Sequence, residues 1–364
     1  MPIPLKNWVR NRPTNSPLPQ YSNFYFPLNS NVNSYYSNYD RKGSFTRESI
    51  SYNQSGTQIA SGLPRYETAL CDQGIMIEEG TTNVFLNSDV PVTQSIAVTT
   101  ANSGKWTTTV RGAGTVTTSA GTATATGYGE ASDGSPNTIT VTGNGTVVFT
   151  VAGADATTKV QVENKAYGTS HMVTEGTSAT RAAETLTIPT AGVFTKGSWT
   201  IEQCFKPMGT QVRANAYKRL WQIFIDANNY YNLVIGSDGK AYLETYSGGV
   251  PKSIYWTSQV LAVDTWYAFG CKGDGVNLTF FANGTKIGQV AYTEPVGTLP
   301  VNIINIGNSN GLTDDLCISS IARSDADMAI RGASSVPHSW DKYTTYLQGF
   351  DGNLIAKKRR HPNL

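Results

Sequence analysis

The sequence predicts an all-β protein, and three observations carry that expectation. Only 15% of the 364 residues are charged, while Gly numbers 35 and Tyr 19; Gly and β-branched residues weaken helices and suit turns and pleated surfaces. Apolar residues alternate over short runs, as in Ile139-x-Val141 and Val147-x-Phe149-x-Val151, rather than recurring at helical spacing. Turn dipeptides such as Asn283-Gly284 punctuate those runs. A chain of this length exceeds one compact core, so several domains are expected.

Residues 1–40, with prolines at 2, 4, 13, 17, 19 and 27, show no apolar period and read as an extended N-terminal docking arm. Such a segment cannot bury enough apolar area to order itself, yet Trp8, Phe24, Phe26, Tyr35 and Tyr36 are costly to leave wet, so the arm is expected to dock on a partner. Residues 41–90 read as a linking β-segment in which Ile75-Met76-Ile77 is a buried strand ending at Glu78-Glu79-Gly80. Adjacent strand residues face opposite ways, so Glu78 and Glu79 cannot flank one bond, and a solvated or salt-bridged role is expected.

Residues 91–179 read as a small β-sandwich, with TITVTGNGTVVFTV taken as a hairpin turning at Gly143-Asn144-Gly145. Residues 180–336 hold the strongest strands: Trp199, Ile201 and Phe205 share one face of WTIEQCFKP, and Trp221, Ile223 and Ile225 one face of RLWQIFID. WYAFGCKGDGVNLTFFANGTKIGQVAY reads as a three-stranded meander turning at Gly273-Asp274-Gly275 and at Asn283-Gly284. Ser324 caps a short helix reaching Arg331. Residues 337–364 are expected to form a solvated C-terminal tail with the basic run Lys357-Lys358-Arg359-Arg360.

A formal net charge of +2 gives no electrostatic reason to expect a nucleic-acid or membrane-surface partner. The start MPIPLKNWVRNRP has no apolar stretch of the kind a secretory leader needs, and no eighteen consecutive apolar residues occur, so neither export by that route nor a membrane span is expected. Cys71, Cys204, Cys271 and Cys317 lie far apart without C-x-x-C spacing and read as small core residues. His171, His338 and His361 stand alone, which offers neither zinc nor triad chemistry. Asp226, Asn228, Asn229 and Asp314-Asp315 are weighed as calcium ligands and read as turn formers, so no metal and no cofactor are assigned.

The meander, followed by IGNSNGLTDDLCISSIARSDADM, resembles the closing half of concanavalin A-like lectin/glucanase domains of the laminin-G type over roughly residues 185–332. A Trp-led strand, a D-G turn, an apolar strand, an N-G turn, Asp314-Asp315 and Ser324-Asp325-Ala326-Asp327 occur in that family's order. SFTRESISYNQSGTQIASGLPRYE…GIMIEEGTTNVFLNSD is similar to a segment of tailed-bacteriophage virion proteins, and VQVENKAYGTSHMVTEGTSATRAAETLTI to the junction between sandwich and lectin-like domain in the same proteins. The resemblance implies an all-β virion component ending in a concanavalin A-like jelly roll, made in the host cytoplasm, present in multiple copies, and held to other virion proteins by the arm. Its expected function is attachment to host-surface glycan; the alternative is a tail, collar or capsid decoration protein that binds no sugar.

Glucanases of this fold carry an E-x-D-x-E run, whereas here Glu202 is followed by Gln203-Cys204 and Glu244 by Thr245-Tyr246, so no catalytic residue and no enzyme are expected. Sugar binding uses aromatic surfaces beside amides and carboxylates. Tyr230, Tyr231, Tyr242, Tyr246, Tyr255 and Trp256 cluster in sequence; Tyr246, Tyr255 and Trp256 are preferred because they flank the Gly-rich stretch SGGVPKSIYW.

Overall fold

A computed structural model describes residues 44–47, 51–53, 57–69, 72–212, 217–307, 309–332, 338, 341 and 343–348. The arm with Trp8, Phe24, Phe26, Tyr35 and Tyr36, together with Cys71 and the run from Lys357 to Arg360, lies outside them. Among the described residues no helix is long and apolar enough to cross a membrane.

The chain begins with short strands β1 (Ser44–Thr46), β2 (Ser51–Tyr52), β3 (Gln58–Ile59), β4 (Arg65–Ala69), β5 (Asp72–Ile77) and β6 (Thr81–Asn83). A sandwich of two four-stranded sheets follows. One sheet has the order β10 (Ala125–Thr126), β12 (Asn137–Val141), β8 (Gly104–Arg111), β14 (Lys159–Glu163); the other has β11 (Gly129–Ala131), β9 (Thr115–Ala120), β13 (Gly145–Ala152), β7 (Gln94–Val98). Trp106, Val116, Ile139, Val141, Val147, Phe149 and Val160 fill the space between them.

The hairpin expected at Gly143-Asn144-Gly145 does not form. β12 pairs with β8 and β10, whereas β13 pairs with β7 and β9. Alternation had located both strands and their buried faces, but the same alternation serves two strands stacked in opposite sheets as well as two paired in one. Gly145 makes the crossover: at φ 140 it passes so near Ala123 that a Cβ would stand 2.4 Å from the Ala123 nitrogen.

The remaining strands are β15 (Ala179–Arg181), β16 (Thr185–Pro189), β17 (Trp199–Pro207), β18 (Lys218–Asp226), β19 (Asn229–Ile235), β20 (Ala241–Ser247), β21 (Val250–Tyr255), β22 (Tyr267–Gly273), β23 (Asn277–Ala282), β24 (Thr285–Ala291), β25 (Asn302–Gly307), β26 (Gly311–Ser319) and, after helix α1 (Asp325–Gly332), β27 (Thr344–Gln348). They build a jelly roll. Its larger sheet runs β24-β23-β22-β17-β26-β5-β4, with β27 also paired to β26. Facing it are β18-β19-β20-β21 and β1-β16-β25, and β25 runs alongside β18. Trp199, Phe205, Trp221, Tyr231, Leu233, Leu243, Phe280 and Leu316 are all buried between the layers.

The meander forms as expected, as β22, β23 and β24. Asn283 and Gly284 both take positive φ, 48° and 74°, the requirement of the tight turn that twists with its strands. Ser324 Oγ accepts from the Asp327 N–H at 3.1 Å and caps α1.

Two strands of the larger sheet come from the linking segment and one from the tail. β5 pairs with Gly311–Thr313 and β27 with Leu316–Ser319 of β26, so residues 344–348 are built into the sheet rather than lying in a solvated tail. The sandwich therefore interrupts the jelly roll, leaving and re-entering where β6 pairs with β15.

At that re-entry sits a buried ionic cluster. Arg65 grips both Glu184 oxygens at 2.9 and 2.8 Å and reaches Glu78 at 2.9 Å, and Arg181 reaches Glu78 at 2.7 Å. Ser170 donates to Glu78 from its N–H and its hydroxyl at 2.8 and 2.7 Å, and Arg47 stands 3.7 Å from Glu184. Burial opposes ionisation of Glu78, but Arg181 and Arg65 outweigh it and hold its carboxyl at about 2. Glu79 turns elsewhere, to Lys165 at 2.8 Å and to the Tyr167 hydroxyl.

Candidate functional site

The jelly roll has two outer faces, and both carry carboxylates. On the larger sheet a bulge brings two of them together. Glu202 pairs with Cys317 and Cys204 with Asp314, which leaves an extra residue on β26; Asp315, at φ 49, absorbs it. This keeps Leu316 and Ile318 in the core while the Asp315 carboxylate meets His338. His338 donates its backbone N–H to Asp315 at 2.8 Å, its Nδ1 also contacts Asp315, and its Nε2 lies 3.2 Å from Glu202. Burial lowers the imidazole's affinity for a proton, but the bonds and charges of Asp315 and Glu202 overcome this and raise its pKa to about 9.

The histidine that looks isolated in sequence thus lies between opposed carboxylates. These are nearly sealed, with side-chain exposures of 4% for Glu202 and 2% for Asp315. Arg323 adds a contact to Glu202 at 3.7 Å and one to Asp341 at 2.6 Å. Helix α1 lies over the adjoining strands: a Cβ on Gly270 would come 2.3 Å from Met328 Cε, so glycine is what lets the helix sit down. Lys272 and Lys286 fasten the helix through Asp325. This arrangement holds a cover in place, and a cavity of about 10 Å³ lined by Glu202, Gly270, Met328 and His338 remains beneath it.

The outer face of β18–β21 is partly open by contrast, with Asn232, Val234 and Tyr242 buried and Phe224 and Tyr255 exposed. Successive residues alternate inward and outward: Trp221, Ile223, Tyr231, Leu233 and Leu243 go to the core, while Phe224, Tyr230, Asn232, Tyr242, Glu244, Tyr246, Ser253 and Tyr255 go out. Register then sorts the outward side chains into three rows across the strands. Phe224 opposes Tyr230, and Tyr230 opposes Tyr246. Gln222 opposes Asn232, Asn232 opposes Glu244, and Glu244 opposes Ser253. Arg219 opposes Val234, Val234 opposes Tyr242, and Tyr242 opposes Tyr255.

A polar row therefore lies between two aromatic ones. The rings within each aromatic row stack, Tyr230 on Tyr246 at 4.5 Å and Tyr242 on Tyr255 at 4.7 Å between centroids. Phe224 is 48% and Tyr255 53% exposed, large apolar surface left in water on a sheet that buries its other face fully. Burial raises the Glu244 carboxyl above the ordinary range, against hydrogen bonds from Ser253, Asn232 and Tyr230.

Tyr246 and Tyr255 both lie on this face, in different rows. Tyr246 is near the Gly248-Gly249 turn, but Tyr255 is at the far end of β21, opposite Tyr242. Trp256 does not join them. One residue beyond Tyr255, it falls on the opposite side and packs edge-on against Tyr267 and Phe269 of the core. Phe224, Asn232, Glu244 and Ser253 are absent from the sequence-based selection; the alternation Tyr242-x-Glu244-x-Tyr246 is the signal that points to the polar row. Asp226 accepts from the Asn228 N–H at 2.7 Å, in keeping with a turn former. Among the described residues no group of three or more His, Cys, Asp or Glu is placed to hold a metal. Cys204, Cys271 and Cys317 are buried.

Residues 180–329 match the family model described as the concanavalin A-like lectin/glucanases superfamily, of the third laminin-G type. The chain thus carries a concanavalin A-like jelly roll within an all-β architecture. No curated protein matches the chain in sequence. Among solved structures it is similar to domain 4 of an extracellular GH43 arabinanase from Geobacillus stearothermophilus, in complex with arabinotriose, at 18% identity and a TM-score of 0.36, covering 42% of this chain and 73% of that one. It is also similar to a heptameric SAP-like pentraxin from Limulus polyphemus, at 15% identity and a TM-score of 0.32 over 46% of this chain and 86% of that one. The receptor-binding domain of botulinum neurotoxin D gives 12% identity and a TM-score of 0.34 over 41% of each chain.

Proposed function

We propose that this protein is an attachment protein whose jelly roll binds carbohydrate through the outer face of β18–β21, and that it works as a component of a tailed-phage particle. The observation that carries the first part is the polar row of Gln222, Asn232, Glu244 and Ser253 held between two rows of stacked aromatic side chains. Sugars are bound by this combination, with apolar C–H surface against rings and hydroxyls against amides and carboxylates. Single contacts of this kind are weak, and several copies on one particle strengthen them by avidity.

The virion reading rests on motif order and gains support from the ionic cluster. Arg47, Arg65, Glu78, Arg181 and Glu184 come from the two stretches that resemble phage virion proteins, and they meet at one buried site. Attachment to other virion proteins is assigned to residues 1–40.

Binding of full-length protein to an array of bacterial surface glycans tests the first part; the expected outcome is saturable binding that weakens about tenfold or more on Tyr246→Ala. Silence across the array would move the protein to the alternative, a decoration protein without sugar binding. Removing residues 1–40 is expected to leave a folded product that no longer enters particles, and normal incorporation would refute the arm as anchor.

A further inference from the structure

We infer that the face selects a neutral glycan chain lying across the strands, between the two aromatic rows, with its hydroxyls donating to Glu244 and Asn232. This rests on the carbohydrate reading above and adds the class of glycan, its direction and the residues that choose it.

Direction follows from the ring stacking. Within each row the flat ring surfaces are turned to one another, so the rows act as walls rather than as separate platforms. Tyr242 and Tyr246 stand four residues apart on β20, which puts the walls about 13 Å apart at their Cα atoms, and the floor crosses four strands over roughly 14 Å. That trench is longer than one sugar and runs perpendicular to the strands.

Ligand class follows from what the floor lacks. Glu244 accepts from the Tyr230 hydroxyl at 3.4 Å and from Ser253 at 3.3 Å, both long, and a carboxylate can accept about four hydrogen bonds. Asn232 turns its amide N–H to Glu244, which fixes its Oδ1 as an acceptor, and that oxygen is buried with no partner. Unmet acceptors call for a donor. An ammonium would donate as well, but Arg219 already provides the positive charge beside Glu244, so the trench holds one charge of each sign and offers little net attraction to a charged ligand. Hydroxyls remain: donors without charge, carried along a chain.

The test uses the full-length protein and calorimetric titration with three sets of oligosaccharides matched in length: neutral hexose chains, uronic-acid chains and chains of unacetylated amino sugars. Sedimentation of the free protein runs alongside. Neutral chains are expected to bind, more tightly when longer than a disaccharide, and Glu244→Gln is expected to weaken them about tenfold or more with the melting midpoint unchanged. Preference for the acidic or amino chains, or no change in Glu244→Gln, overturns this inference while leaving carbohydrate binding intact. No binding of any set removes the carbohydrate reading itself. Self-association abolished by Tyr230→Ser overturns both and gives the face to a second copy of the chain.

Discussion

The two outer faces of the jelly roll start from similar chemistry and end differently. On the larger sheet Glu202 and Asp315 share His338, Glu202 also faces Arg323, and both lie under a return of the chain, although one Asp315 oxygen is buried without a hydrogen-bond partner. On the smaller one Glu244 accepts from Tyr230, Ser253 and Asn232, an amide oxygen without a partner stands beside it, and Phe224 and Tyr255 remain in water. Paired buried charge holds a fold together; what sets the other face apart is the large aromatic surface it leaves in water. The same residue type therefore lies sealed among charged partners on one face and beside exposed rings on the other.

Substitutions on the two faces are expected to separate stability from binding. The largest effect is expected from His338→Ala, which strips two buried carboxylates of their shared partner and should cost about 3–5 kcal/mol in urea unfolding while glycan binding by the folded fraction is unchanged. A cost below about 1 kcal/mol would mean that the covered face is not held by this group.

The same histidine predicts a pH dependence. Its pKa rises from 6.5 to about 9 on folding, so its contribution is complete below pH 6.5 and is lost as pH climbs through about 9. Summed over that interval the loss approaches about 3 kcal/mol, and His338→Gln should flatten the profile between those limits. A third, smaller effect belongs to the partly open face: Tyr246→Ala removes one stacked pair and should lower stability by about 1 kcal/mol, with binding much more affected than folding. Smallest of all, Glu244→Gln should leave stability within about 0.5 kcal/mol of the parent, because its carboxyl is half-buried and the amide can still accept from Tyr230 and Ser253; a larger loss would class it with Glu202.

Much of this architecture was legible in the sequence. Asn283-Gly284 fixed a hairpin because both residues must take positive φ, and Trp199, Ile201 and Phe205 marked a core face by simple alternation. Other features were hidden for definite reasons. Alternation gives the face of a strand but not its partner, which is why β12 and β13 read as a hairpin and are found in opposite sheets. The segment 337–364 reads as a tail because its basic run dominates it, although residues 344–348 pair with β26. Arg65 and Glu184 lie over a hundred positions apart, |i−j| 119, and nothing local separates a buried guanidinium from a surface one. Tyr246 and Tyr255 were found by their place near a loop, but their common orientation, and the exclusion of Trp256, depend on strand phase.

The interruption of the jelly roll at β6 and β15 has a practical corollary. A fragment cut to the span of the matched family, residues 180–329, would lack β4, β5 and β27, and with them three neighbours in the larger sheet. Its exposed β26 edge would invite aggregation. A better dissection runs the other way: excise the sandwich at its neck, where Thr81 and Arg181 already stand opposite each other, and splice the ends with a short turn. What remains would be a jelly roll that keeps β4, β5 and β27 in its larger sheet, portable to other scaffolds.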